Sequence, residues 1–263
     1  MKRVKPKKHL GQHFLTDESI AANIAGAISR HQGVSRVLEI GPGTGILTRA
    51  LQNRNFDELK IIEIDLESID FLHENHPEIS ADIISGDFLK IDLEPIFNGE
   101  RFILAGNFPY NISTQILFRL FENRDLIPEL VGMFQREVAK RIASGPGSKE
   151  YGILSVLLQI YYKVEYLFTV DEDVFDPPPK VKSGVIKLTR NDREALPFSD
   201  DFMKMVVKTA FNQRRKTLRN SLKSILAGKD LDLEEDILHL RPEQLPTETF
   251  IRLAAAIHKT LNP

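Results

Sequence analysis

The sequence contains no cysteine, which excludes disulfides and thiolate-held metals and fits a reducing cytoplasm. No apolar run approaches the length that crosses a bilayer. No apolar core of a secretory signal stands near the start, so export is not expected. Internal repeats and low-complexity stretches are missing too. No acid appears before Asp17, while Lys2, Arg3, Lys5, Lys7 and Lys8 crowd the first eight residues. What is present is ordinary for a folded soluble protein. Of 263 residues, 42% are hydrophobic and 27% charged, enough for a full core and a small second domain.

The net charge of −2 hides an uneven distribution. A second basic cluster, Arg214-Arg-Lys-Thr-Leu-Arg219 followed by Lys223, lies towards the other end. Each cluster alone reads as a solvated face. Two of them flanking a nearly neutral middle point instead to a polyanion bound across the molecule. The first cluster also reads as an organellar targeting sequence, but it leads directly into residues that look like part of a site.

Thr16-Asp-Glu-Ser19 opens a helix with a cap-type residue and acids in its first turn, and Ile20, Ile24 and Ile28 give that helix a buried stripe. Val37–Ile40, Lys60–Ile64, Ala81–Ile84, Phe102–Ala105 and Leu130–Phe134 read as buried strands separated by helical stretches, notably Ser113 to Phe121. This alternation predicts an α/β fold with a mostly parallel, doubly wound sheet. Val156–Ile160 and Val185–Leu188 are expected to close one sheet edge. Between Thr189 and Asp200 the pattern lapses into a linker, and three or four short helices fit beyond it. The expected division is therefore a sheet domain over 1–190 and a small all-helical domain over 191–263.

Gly41-Pro-Gly-Thr-Gly45 places three glycines at the end of a strand, where small residues let backbone approach a ligand closely. A dinucleotide fingerprint wants its third glycine at 46, which is Ile, and no Lys-Ser/Thr pair follows for a triphosphate. Glu39 sits just inside the loop, where it could meet a ligand's ammonium group. Glu63 ends the second strand, placed to accept from ribose hydroxyls. Asp87 follows the third strand, placed for an adenine amino group or as a helix cap. Glycine turn, ribose acid, adenine acid is the order expected for S-adenosylmethionine. No cluster calls for a metal.

Asn107-Phe-Pro-Tyr110 offers an amide, a backbone carbonyl held extended ahead of a proline, and an aromatic ring within four residues. An adenine's exocyclic nitrogen is a poor nucleophile because its lone pair is delocalised into the ring. Two acceptors for its N–H groups would favour a tetrahedral nitrogen and free that pair. The bland alternative is a strand-to-helix turn with a packed tyrosine.

With these residues in place the chain resembles one family, the ribosomal RNA small-subunit adenine dimethyltransferases (the KsgA/RsmA family). The resemblance runs from about Lys7 to Ser224 and rests on Leu10-Gly-Gln-His-Phe-Leu15, Glu39–Gly45, Asn107-Phe-Pro-Tyr-Asn-Ile-Ser113, Phe175-Asp-Pro-Pro-Pro-Lys-Val-Lys-Ser183 and Phe211–Leu222. The first four blocks are shared with erythromycin-resistance methyltransferases; the last resembles the small-subunit enzymes alone. The resemblance implies a Rossmann-like class I methyltransferase sheet and contacts to S-adenosylmethionine from His13, Leu15, Gly41, Glu63, Asp87 and Asn107. It implies dimethylation of two adjacent adenosines in a hairpin near the 3′ end of small-subunit ribosomal RNA, within an immature 30S particle. Asn107 and the Phe108 carbonyl would steer the amine, with Tyr110 and Phe175 gripping the base. Lys7, Lys8, Arg214, Arg215, Lys216 and Arg219 would bind RNA, and a cytoplasmic monomer is expected. His13 stands where many relatives carry Asn, and Phe108 where Leu is commoner. The competing readings are a non-methylating ribosome-assembly factor, a large-subunit RNA methylase, a DNA amino-methyltransferase and, least favoured, a nicotinamide dehydrogenase.

Overall fold

Asp17 starts the first helix in the manner its residue type dictates. Its carboxylate accepts from the backbone N–H groups of Ser19 and Ile20, opening α1 (Glu18–Ala27), and Ala21, Ile24 and Ala25 turn inward from it. Such a cap contributes about 1 kcal/mol. The computed structural model describes residues 4–262, so Lys2 and Arg3 of the basic arm lie outside the described residues.

Ahead of α1 comes a two-residue strand, β1 (Phe14–Leu15). Then follow β2 (Arg36–Ile40), α2 (Ile46–Gln52), β3 (Glu58–Glu63), α3 (Leu66–Asn75), β4 (Ile83–Ser85), β5 (Ile103–Asn107), α4 (Ser113–Glu122), β6 (Glu129–Gln135) and α5 (Arg136–Ala143). The chain continues through α6 (Ile153–Tyr161), β7 (Tyr162–Val170), β8 (Phe175–Asp176) and β9 (Ser183–Arg190). Seven strands form one sheet in the order β4-β3-β2-β5-β6-β9-β7. The first five are mutually parallel, and β9 runs antiparallel to β6. The chain moves outward from β2 through β3 and β4, then returns to the other side of β2 with β5. That reversal is the switch point where a crevice opens beyond the strands' carboxyl ends. The doubly wound α/β sheet expected from the alternation is present. Leu38, Ile40, Ile103 to Ala105, Leu130 and Val131 are buried, as strands covered on both faces require.

Two expectations for the sheet edge fail. Val156–Ile160 is not a strand but part of α6, buried along nearly its whole length. An apolar run of this kind has no exposed face to betray its period, so pattern alone cannot tell buried helix from buried strand. The edge strand is β7, immediately after it. Val185–Leu188 does enter the sheet, but in β9, between β6 and β7.

The contact pattern divides the chain into two units: the chain through Lys140 with Lys163–Arg190, and Arg141–Tyr162 with the chain from Asn191 on. The expected join after residue 190 coincides with one boundary, while 141–162 group with the later helices. Those helices are α7 (Asp200–Asn212), α8 (Leu218–Ser221), α9 (Lys223–Leu226), α10 (Glu235–His239) and α11 (Thr247–Leu261). Ser199 caps α7 by accepting from the Phe202 N–H. Met203, Val206 and Val207 of α7 and Phe250, Leu253 and Ile257 of α11 are buried. No helix among the described residues is long and apolar enough to cross a membrane.

Candidate active site

The glycine turn after β2 brings backbone, not side chains, to the sheet's switch point. Gly43 has φ +57°, and a Cβ there would lie 2.7 Å from the Phe14 ring. Gly11 behaves alike: φ is +65°, and a Cβ would meet the Asn111 side-chain oxygen at 2.6 Å. Both positions favour glycine on conformation, and at Gly43 the Phe14 ring also leaves no room for a side chain. The turn, the arm segment 10–15, the ends of β3 and β5, and loops 86–89 and 107–112 enclose a cavity of about 170 Å³.

His13, Leu15, Gly41, Glu63, Asp87, Asn107, Phe108 and Tyr110 all line this one cavity. Glu63 ends β3 and is buried; its Oε1 accepts from the N–H groups of Ile64 (2.8 Å) and Asp65 (2.9 Å). Burial pushes its carboxyl above the ordinary glutamate range, against the pull of the Asp65, Ile64 and Gly43 N–H groups. Glu39, 1% exposed, accepts from the Thr48 hydroxyl at 2.7 Å. Burial pushes it up to about 8, with Thr48 pulling the other way and the Glu63 charge adding to the rise. Asp87 accepts from the Leu89 N–H at 2.9 Å and lies 3.5 Å from the Lys90 ammonium, so it also caps its turn. Ile64, 51% exposed, adds an apolar wall that the sequence reading did not single out.

Among the described residues no lysine or arginine lines the cavity; Glu39, Glu63 and Asp87 do. Glu39 and Glu63 are buried with no lysine or arginine beside them in the lining, Glu39 holding its proton at neutral pH. Asp87 is half-buried next to Lys90. A lining whose charged groups are acids suits a positively charged ligand and disfavours a pyrophosphate. A sulfonium that also carries an ammonium group and an adenosine fits this donor set. Glu39 supplies a check on that electrostatic account. Folded, it keeps its proton to about pH 8; unfolded, it releases it near 4.5. Between those values the folded state binds more protons, so stability falls as pH rises, by about 1.4 kcal/mol per unit for this group. Glu39→Gln is expected to flatten that part of the dependence in thermal unfolding between about pH 5 and about pH 8. Parallel curves for variant and parent would show that the carboxyl ionises freely in the fold.

At the end of β5, Asn107 Nδ2 donates to the His13 carbonyl at 2.9 Å, which leaves the amide oxygen as the end offered to a ligand. Phe108 presents only backbone. Its ring is fully buried against Phe134 (4.8 Å between centroids) and fills the space left by Gly106 and Gly132. The tyrosine two residues on is half-buried, its ring 5.5 Å from that of His13 at 31°.

Phe175, expected to grip the base, does not line this cavity. It pairs with Leu15 across the short β1–β8 ladder, is 4% exposed and packs in the core with Ala21, Ile24 and Val185, outside the cavity lining. An apolar ring flanked by Leu15 and Val185 gains more from that burial than from facing a wet cleft. Its loop reaches the site by other atoms: His13 Nδ1 is 2.7 Å from the Pro177 carbonyl oxygen.

The arm basic residues are partly committed. Lys7 forms an ion pair with Asp65 and lies 3.6 Å from Glu67, while Gln12 donates to Asp65 at 2.9 Å. Burial works to raise the Asp65 carboxyl, but Lys7 and Gln12 outweigh it and hold it below the usual aspartate range. Asp65 also caps α3, so Lys7 and Gln12 fasten the arm beside the cavity. Nothing in the sequence marks that role, although Gln12 belongs to a block that carries the resemblance. Lys8 is exposed. In the helical unit, Arg214 donates to the Ser148 carbonyl and lies 3.8 Å from Glu243, Arg219 pairs with Glu235, and Arg215 and Lys216 are exposed.

The sequence model of the family described as "Ribosomal RNA adenine dimethylase" matches residues 3–258. Curated relatives described as "Ribosomal RNA small subunit methyltransferase A" include one from Bacteroides thetaiotaomicron, 56% identical over 99% of this chain and 97% of that one. Another, from Porphyromonas gingivalis, is 57% identical over 98% of this chain and 100% of that one. Among solved structures, a dimethyladenosine transferase from Plasmodium falciparum superposes with TM-score 0.77 at 24% identity, covering 94% of this chain and 98% of that one. The 23S rRNA methyltransferase ErmE gives 0.66 at 25%, covering 93% and 99%. The shared architecture is that of the sheet described above.

Proposed function

The chain belongs to the ribosomal RNA adenine dimethylase family of enzymes, and from that premise we propose that it dimethylates N6 of two adjacent adenosines in the 3′-terminal hairpin loop of small-subunit ribosomal RNA. S-adenosylmethionine is the methyl donor and the immature 30S particle the partner. The protein acts as a cytoplasmic monomer, with a role in small-subunit biogenesis. One observation carries the reading: Asn107, Phe108 and Tyr110 line one cavity whose charged lining residues are all acids.

The target base leaves its stack to enter the cavity. Tyr110 then offers a ring face, and stacking of this kind is worth roughly 1–3 kcal/mol per base. Asn107 Oδ1 and the Phe108 carbonyl accept the two N–H groups, which draws the amine out of conjugation and aims its lone pair. Glu63 would hold ribose hydroxyls and Asp87 the cofactor's adenine amine. Glu39 would meet the ammonium end, giving up the proton it holds in the empty fold as that charge arrives. When bound, S-adenosylmethionine supplies a methyl carbon on a sulfonium: the N6–C bond forms as C–S breaks, and sulfur keeps the electron pair. The amine's surplus proton passes to water, so no general base is needed among these side chains. Positioning supplies most of the acceleration, helped by acceptors facing the nitrogen as it becomes positive.

The test incubates the protein with labelled S-adenosylmethionine and undermethylated small subunits, then identifies the labelled nucleoside by mass spectrometry. N6,N6-dimethyladenosine in the small-subunit hairpin is expected. Label in large-subunit RNA would reassign the substrate. Subunit binding without any transfer would favour an assembly factor.

A further inference from the structure

Ser183 opens β9, opposite Gln135 at the carboxyl end of β6, one strand beyond the β5 end that carries Asn107. Its side chain is fully buried, and a buried hydroxyl needs a partner. That partner is the Tyr110 hydroxyl at 2.6 Å. The same tyrosine is held at its other end, where the Ser113 hydroxyl donates to the Tyr110 carbonyl at 3.0 Å, and across its face by the His13 ring. Burial raises the Tyr110 phenol above its ordinary range, partly offset by Ser183, so the ring is offered as a neutral, fixed surface.

Resting on the reading above, we propose that Ser183 is a positioning residue that locks the Tyr110 ring and thereby sustains the second of the two methyl transfers to each adenosine. The two transfers make different demands on the site. An unmethylated amine has two N–H groups and can engage both Asn107 Oδ1 and the Phe108 carbonyl. A monomethylated amine has one, so it is steered by a single hydrogen bond and the new methyl must be accommodated. Orientation of the base then falls on the ring face, and a ring free to swing about its side-chain torsions cannot provide it. The phenol–serine bond removes that freedom before substrate arrives, at no cost to the bound state. In sequence terms, the Pro177-Pro-Pro179 block serves Tyr110: the loop ends by delivering Ser183 to its hydroxyl.

Ser183→Ala deletes the bond from one side and Tyr110→Phe deletes it from the other while keeping the ring. Single-turnover methylation of undermethylated subunits, read as N6-monomethyladenosine against N6,N6-dimethyladenosine, gives the ratio of second to first transfer. That ratio is expected to fall about five- to tenfold in both variants, the size one hydrogen bond confers, and no further in the double variant. Both variants should also bind subunits carrying the monomethylated base more weakly than the parent does, while calorimetric affinity for S-adenosylmethionine stays within about twofold. A parent-like ratio in both variants overturns the proposal. So does a loss confined to Ser183→Ala, since packing rather than the bond would then be responsible. A parent protein that deposits no dimethyladenosine defeats the functional reading itself; a normal parent with unaltered variants defeats only the role of Ser183.

Discussion

Asn107→Ala is expected to lower methyl transfer by about 10²–10³, the loss typical when one preorganised polar group is removed from a reacting centre, while S-adenosylmethionine still binds measurably. The side chain works at both ends. Its nitrogen is tied to the His13 carbonyl at 2.9 Å, which fixes the amide's rotation and leaves the oxygen toward the cavity. Alanine removes both the proposed acceptor for the adenine amine and this tie to the arm. Asn107→Asp separates the two losses, because it keeps an acceptor and gives up the donor. If orientation by His13 were all that mattered, aspartate would be as inactive as alanine. If the acceptor matters, aspartate stays above it. Calorimetry for the cofactor beside initial rates for transfer makes the comparison, and near-normal turnover in the alanine variant would remove Asn107 from the chemistry.

Much of this site is legible before any coordinates because its parts are local in sequence. A glycine turn after a strand, an acid at the end of the next strand, and the Asn-Phe-Pro-Tyr segment each declare a backbone conformation and a chemistry within a few residues. Parallel alternation then brings the strand ends to one side. His13 and Leu15 were placed by family resemblance alone; nothing in their composition announces that an N-terminal arm lies beside β5. Lys7 shows the limit on the other side. Read as a cation for RNA, it is engaged by Asp65, and only the fold reveals that a helix cap faces the arm across 58 residues.

Aromatics are where pattern reading says least about placement. Phe175 and Tyr110 are both rings in motif blocks next to prolines, yet one is 4% exposed in the core and the other lines the cavity. The difference lies in the hydroxyl: Tyr110 has a polar end that finds Ser183, whereas Phe175 has only area to bury. Likewise Leu154–Tyr161 is apolar at nearly every position, and no period survives to say helix. Ser183 itself gave no signal, because a lone serine at a strand start is indistinguishable from any other until its partner is known.

The basic block in the helical unit leads to the second large effect. Four cations stand within six residues, but the fold has already spent some of them. Arg214 lies 3.8 Å from Glu243 and donates to the Ser148 carbonyl, and Arg219 is paired with Glu235. Arg215 and Lys216 are exposed and, among the described residues, join no ion pair. A cation already neutralised by a carboxylate releases fewer counterions when it meets a phosphate, because its acid partner must be displaced first. Each free cation that contacts a phosphate adds about one unit to the slope of log affinity against log salt concentration. Replacing Arg215 and Lys216 with glutamine is therefore expected to reduce that slope by about two and to weaken subunit binding at low salt. Adding Arg214→Gln should change the slope by less than either of them alone. Filter binding of undermethylated subunits over a salt series measures it. An unchanged slope in the double variant would mean that this face of the helical unit meets solvent rather than RNA, and the polyanion would have to be bound elsewhere.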